Sequence, residues 1–263
     1  MRPRVTSVLA GAGGVTALLG LVVMAGWHLG IDRITSVIPR LDPMAYTTAL
    51  AFALLGVALL ALGRGWTRLA TATAILVLLH GLATLVQHAS DQPGLFERVL
   101  PTLDRAGAGP GSPNAGLSFL LCGLAVVVLA PGRLLLTRLS GAMLGAAVLI
   151  ISAVDLLAYL VAVNGHQGSF LLPQMAVHTA AGLLVAGSAL LYTGWHLPRG
   201  LHERPVVHLG FWAACIVFVL SVLLAQLLRS HERAQIREMV KLATRGVADQ
   251  LDRTLAERSR AAL

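Results

Sequence analysis

Seven stretches of the chain, residues 5–29, 45–63, 69–88, 114–131, 139–162, 174–195 and 206–228, are almost continuously apolar. Crossing a hydrocarbon core of about 30 Å takes about 20 such residues as a helix, so each stretch predicts a membrane-spanning helix. The first follows Arg2 and Arg4 in the manner of a secretion signal, but it stays apolar through Val22, Val23 and Met24 to Trp27. That is too long for the core of a cleaved signal, and a retained helix is expected. Beyond residue 228 the pattern changes. Ile236, Val240, Ala243, Val247, Leu251 and Leu255 recur at spacings of three and four, with Arg, Glu and Asp between them. This predicts an amphipathic helix continuing from the seventh span. The expected fold is all-α: a polytopic membrane bundle of about seven transmembrane helices in residues 1–228, then a helical stalk or linker in 229–263. The stripe Ile236, Val240, Ala243, Val247 and Leu251 suits a signal relay that pairs with a second copy as a homodimer, although Gly246 falls within it. The ending Ala261-Ala262-Leu263 has neither cap nor folded module, and a further downstream domain is expected.

Composition agrees with the bilayer as the main partner. The chain is 56% hydrophobic and 12% charged, whereas a soluble domain carries about a quarter charged residues. The net charge of +8 is scattered over short loops and the tail, so no phosphate-tracking surface and no nucleic-acid partner are expected. Two cysteines, Cys122 and Cys215, lie in apolar runs. They exclude a disulfide scaffold or cysteine-rich zinc module and suit small buried hydrophobes. Cations also set the orientation. One set of loops holds Arg2, Arg4, Arg64, Arg68, Arg133, Arg138, Arg199 and Arg204. The other holds Arg33, Arg40, Arg98 and Arg105 mixed with Asp32, Asp42, Asp91, Glu97 and Asp104. The N-terminus is therefore expected in the cytoplasm, and seven crossings put the C-terminal helix outside.

Three segments align internally: Thr47 to Gly56, Asn114 to Gly123 and His178 to Gly187, at offsets of 67 and 64 residues. Each starts with a polar residue and reaches a glycine nine positions on. Such repeats imply a duplicated two-helix unit, here spans 2–3, 4–5 and 6–7 with span 1 in front. Thr47, Ser112 and Asn114 are also suited to cap free backbone N–H groups. The recurring glycines, and Gly141-x-x-x-Gly145, suit close helix packing.

Gly111-Ser112-Pro113-Asn114-Ala115-Gly116-Leu117-Ser118-Phe119-Leu120-Leu121-Cys122-Gly123-Leu124-Ala125 resembles the SPNTALxFLLLGLAL stretch in the polytopic N-terminal sensor regions of bacterial histidine kinases and diguanylate cyclases. Gly81-Leu82-Ala83-Thr84-Leu85-Val86-Gln87-His88 resembles the GLLTLLEY helix end that precedes that stretch. Met175-Ala176-Val177-His178-Thr179-Ala180 resembles the MALHTA start of the later repeat, and Gln250 to Arg258 resembles the helix leading into a periplasmic sensor domain. Ala115-Gly116 replaces the usual Thr-Ala, and Gln87-His88 the usual Glu-Tyr. The resemblance implies an input module of a signal-transduction protein in the bacterial inner membrane. No kinase, cyclase or phosphodiesterase core is recognisable in the chain, so it is not expected to be an enzyme by itself.

Ionisable groups within a membrane are costly and point to function. At about 1.5 Å per residue, His80 lies just past mid-bilayer, and Asp155, Asn114 and His178 lie near the outer boundary. The expected site is an outward-facing pocket lined by His80, Asp155, Asn114 and His178. It would take a small or lipid-soluble ligand, or a proton through a histidine beside a carboxylate. Separate satisfaction of each group by carbonyls or interfacial water is the plainer alternative, and the stronger one for His28, His88 and His208. Haem or a metal on the histidines is a weaker expectation, because no HxxxH or CxxC spacing is present, and no cofactor is expected. Trp66 and Trp195 suit interfacial anchoring. Two other functions fit a polytopic chain. A carrier or channel would show broken helices near the midplane, but proline is confined to loops and helix ends. A structural subunit of a larger complex would need no polar cluster.

Overall fold

A computed structural model of the chain describes residues 3–35, 43–90, 111–130, 135–163 and 175–196. Among the described residues the structure is helical with no strand. The helices are α1 (Pro3–Leu29), the single turn α2 (Asp32–Thr35), α3 (Tyr46–Arg64), α4 (Thr67–Ser90), α5 (Pro113–Leu129), α6 (Leu135–Val163) and α7 (Val177–Trp195). Five of them, α1, α3, α4, α6 and α7, are long and apolar enough to cross a membrane, and α5 is an apolar helix of 17 residues. These correspond to the first six expected spans. The seventh span at 206–228, the stalk residues Ile236, Val240, Ala243, Val247 and Leu251, and the boundary at 228 lie outside the described residues.

Local sequence explains where the helices begin and end. Ser112 caps α5, its hydroxyl accepting from the Ala115 N–H at 3.2 Å with Pro113 following it, and proline's fixed φ suits the first helical position. Gly65 ends α3 in the left-handed region at φ 76°. Its N–H donates to the Leu62 carbonyl, and the Trp66 N–H reaches back to Ala61, so the last carbonyls are satisfied and the chain turns directly into α4. Neither Thr47 nor Asn114 is a cap. Both lie inside their helices, and α3 instead starts from Ala45 without a side-chain cap.

The helices pack as three antiparallel hairpins, and the pairing differs from the expected one. The most extensive contacts join α1 to α3, α4 to α5 and α6 to α7. Each repeated segment thus packs on the helix before it, across the longer connection, rather than on the helix after it. The reason is glycine. A methyl group added at Gly20 would lie 2.6 Å from the Ala53 nitrogen, and one at Gly81 would lie 2.5 Å from the Gly116 carbonyl and the Leu120 nitrogen. Gly13 faces the Gly56 carbonyl and Leu60 nitrogen, as Gly145 faces those of Gly187 and Leu191. Gly123 in turn meets Ala74 and Leu78, where Gly56 meets Ala17 and Gly187 meets Leu149. Those contacts obey one register. Positions 13, 17, 20, 23 and 27 of α1 correspond to 74, 78, 81, 84 and 88 of α4, and to 145, 149, 152, 155 and 159 of α6. Backbones approach this closely only where side chains are absent, which is how small residues hold helices together in lipid.

The hairpins close into a ring. α3 packs on α4, α5 on α6, and α7 back on α1, while α5 touches α3 and α7 inside. Phe52 of α3 and the equivalent Phe119 of α5 meet edge to face with centroids 5.0 Å apart. The third equivalent is Leu183, and all three side chains are fully buried. At this level the bundle is filled by hydrocarbon. Leu18, Leu21, Leu76, Leu79 and Val86 on α1 and α4 are half exposed, a surface compatible with contact to lipid.

Candidate functional site

Polar side chains gather one to two turns from the Phe52–Phe119 layer, toward the ends that carry the long connections. Asn114, in the first turn of α5, donates from Nδ2 to Oδ2 of Asp155 on α6 at 3.0 Å. Asp155 is only 2% exposed. The bond therefore joins two different hairpins through a buried carboxylate. A hydrogen bond to a charged or strongly polar partner in such surroundings contributes more than a surface one, although interhelical bonds in membranes average about 0.6 kcal/mol.

The repeat register places this pair in a set of three joints. Thr47, Asn114 and His178 are equivalent on α3, α5 and α7, and Val23, Thr84 and Asp155 are equivalent on α1, α4 and α6. Carried round the ring, that register sets Thr47 with Thr84, Asn114 with Asp155, and His178 with Val23, and the hydrogen bond is the one between Asn114 and Asp155. His178 is 8% exposed, and neither ring nitrogen has a hydrogen-bond partner. In the repeat register the position on α1 that corresponds to Asp155 is Val23, an isopropyl group where Asn114 finds a carboxylate. Ser118, one turn along α5 from Asn114, is fully buried and its Oγ likewise has no partner.

His80 lies elsewhere. Its ring packs edge to face on Phe119 at 5.6 Å, on the α4–α5 side of the aromatic layer. Of the four residues expected to line one pocket, hydrogen bonding joins Asn114 to Asp155, while His80 sits against the aromatic layer and His178 occupies a different joint. His28 is exposed and its Nε2 lies 3.3 Å from the Tyr46 hydroxyl; His88 is also exposed and bonds the Thr84 carbonyl through Nδ1 at 3.0 Å. His208 lies outside the described residues. Among the described residues no group of three His, Cys, Asp or Glu side chains could hold a metal ion.

Sequence reading overlooked a set of latches above the polar level. The Trp27 indole N–H donates to the Met44 carbonyl at 2.9 Å, and the Tyr159 hydroxyl donates to the Met175 carbonyl at 2.6 Å. Trp27 and Tyr159 are equivalent in the repeat, as are Met44 and Met175, with His88 and Gly111 in the same places of the second hairpin. Each latch pins the residue just before a repeated helix to the helix preceding it, and so fixes the depth of Thr47 and His178. The signal was present: aligning the outgoing helices as well as the incoming ones brings Trp27, His88 and Tyr159 into one column. Comparisons with protein-family models, with curated proteins and with solved structures return no match.

Proposed function

We propose that the chain is a membrane-embedded sensory input module of a bacterial signal-transduction protein. It lies in the inner membrane with its N-terminus cytoplasmic and seven crossings. A stimulus entering the outer half of the bundle changes how the hairpins meet, and the seventh span passes that change to a homodimeric stalk at 229–263. The output is a histidine kinase or diguanylate cyclase beyond this chain. The observation that supports the reading best is the Asn114–Asp155 bond, because it ties separate hairpins together through buried polar groups. Joints of this kind have two discrete arrangements, bonded and parted, and helix shifts of about 1–2 Å are enough to switch between them. The unbroken course of α1, α3, α4, α6 and α7 favours this reading over a carrier, whose site calls for interrupted helices.

The test uses the full chain in phospholipid vesicles with Val240→Cys in the stalk, comparing Asp155 with Asp155→Ala. A sensor that relays through this joint shows a changed rate of disulfide formation between copies when the joint is opened. An identical rate, with folding intact, removes the sensory reading.

A further inference from the structure

The three joints between hairpins are equivalent in register, and in the one between α7 and α1 that register pairs an imidazole, His178, with an apolar residue, Val23. His178 is 92% removed from solvent by its 8% exposure, and both imidazole nitrogens lack partners. A buried polar group left in this state costs free energy comparable to a lost hydrogen bond. The first turn of α7 lies beside it. α7 starts from Ala176, which offers no side-chain cap, so the first-turn N–H groups have no acceptor of the kind Ser112 supplies to α5. One turn along α7, Gly182 is closed off by Leu19 and Phe52, each about 2.6 Å from where a methyl would sit. The joint is therefore sealed toward the aromatic layer, and anything completing it must enter from the level of His178.

We propose that the joint between α1 and α7 seats the uncharged carbonyl group of a bilayer-soluble amphiphile, held by a hydrogen bond from the His178 ring to that oxygen. The proposal rests on the sensory reading above and specifies its ligand. Three features select that chemistry. A neutral His178 ring carries one N–H donor without a partner, which calls for an acceptor oxygen. α1 carries no Lys, Arg, Asp or Glu between Arg4 and its end at Leu29, and its His28 lies 3.3 Å from the Tyr46 hydroxyl, so α1 favours an uncharged group over a carboxylate or phosphate. The outward face of α1, with Leu18 at 62% and Leu21 at 56% exposure, gives an apolar tail a surface to lie along. Two sources supply such an oxygen: a quinone dissolved in the bilayer, or the ester carbonyl of a phospholipid.

The experiment uses the full chain, labelled with ¹⁵N-histidine, in phosphatidylcholine vesicles, with a decyl-substituted benzoquinone as the probe. The His178 ring signals are assigned by their loss in His178→Gln. If a quinone is the occupant, those signals move and saturate as it is added. The quinone then raises the thermal midpoint of the wild type and of His178→Gln, which keeps an N–H donor. In His178→Leu the half-saturating concentration rises about tenfold, the loss expected for one hydrogen bond. If a lipid is the occupant, quinone has no effect, but the His178 signals differ between ester-linked and ether-linked phosphatidylcholine, which lacks the carbonyl. Signals that respond to neither change overturn the proposal, as does quinone binding of equal strength in the folded His178→Leu variant. Stalk crosslinking is read separately. Occupancy that leaves the crosslinking rate unchanged removes the sensory reading and keeps the seat, whereas a crosslinking response to Asp155→Ala without occupancy does the reverse.

Discussion

Inside each hairpin the two helices touch through backbone, whereas between hairpins at the polar level they meet through side chains. The first kind of interface keeps one register through the three hairpins: Gly20 on Ala49 and Ala53 matches Gly81 on Gly116 and Leu120, and Gly13 on Gly56 and Leu60 matches Gly145 on Gly187 and Leu191. The second kind shares one register but differs in chemistry: the corresponding positions hold Thr47 and Thr84, the bonded Asn114–Asp155 pair, and Val23 with His178, whose ring nitrogens have no partner. Duplication kept what holds a hairpin together and let the joints diverge. Close-packed interfaces respond to strain as units rather than by gradual deformation, so hairpins move as bodies and the joints are where a stimulus can act.

The largest effect should come from breaking a hairpin. Gly81→Leu puts a branched side chain where even a methyl lies 2.5 Å from two backbone atoms of α5. Backbone cannot rotate aside, so the helices must part. Overpacking costs about 1–3 kcal/mol where side chains can yield, and here about 3 kcal/mol or more is expected, seen as loss of folded protein or a collapse of the unfolding midpoint in detergent. A loss below about 1 kcal/mol would mean that the hairpin is not glycine-locked.

Opening a joint should cost less. Asn114→Leu removes the bond to Asp155 and is expected to destabilise by about 1–2 kcal/mol. Asp155→Leu should act similarly, and the double variant should cost less than the sum, because each single change strands a polar partner. Coupling of about 0.6–1.7 kcal/mol in a double-mutant cycle is expected; simple additivity would show that the two side chains do not act together.

These two kinds of interface were unequally legible in the sequence. Apolar runs located six helices to within a few residues, because the length of a span follows from the bilayer and from hydropathy alone. The repeated glycines were visible too, but not the helix each one meets. Gly56 and Gly123 could equally have faced the following helix, and the structure turns them to the preceding one. Asn114 and Asp155 were placed at one depth by counting residues, which is information along the helix axis. Whether two side chains at one depth share a joint depends on rotation about that axis, and the strings of alanine, leucine and valine around them give almost no amphipathic bias to fix it. The same freedom of rotation applies to His80, whose ring the structure sets on Phe119, and to His178, whose nitrogens have no partner. A polar residue at a helix start suits a cap, and of Thr47, Ser112 and Asn114 it is Ser112 that forms one.

The latches above the polar level should have a smaller effect. Tyr159→Phe removes a 2.6 Å bond to the Met175 carbonyl from a buried position and is expected to lower stability by about 1 kcal/mol. His88→Ala, at the equivalent but exposed position, should stay within about 0.5 kcal/mol. The pair is read by thermal unfolding. Equal losses would mean that the second hairpin is pinned through His88 as the third is through Tyr159.

The smallest effect should come from the neighbour of a locked glycine. Gly13 and Gly14 are adjacent on α1, but a turn of about 100° per residue sends them to opposite surroundings. A methyl at Gly13 lies 2.9 Å from the Gly56 carbonyl and from two atoms of Leu60, whereas one at Gly14 meets nothing within 4 Å. Gly14→Ala therefore adds no clash and removes the flexibility of glycine from a helix interior, which is worth up to about 1 kcal/mol. A neutral or slightly raised unfolding midpoint is expected, beside a clear fall for Gly13→Ala. Gly11→Ala, equally open, should follow Gly14. If Gly14→Ala instead destabilises as Gly13→Ala does, the outward face of α1 is itself packed against something other than lipid, and the division between locked interfaces and free surfaces would have to be redrawn around that face.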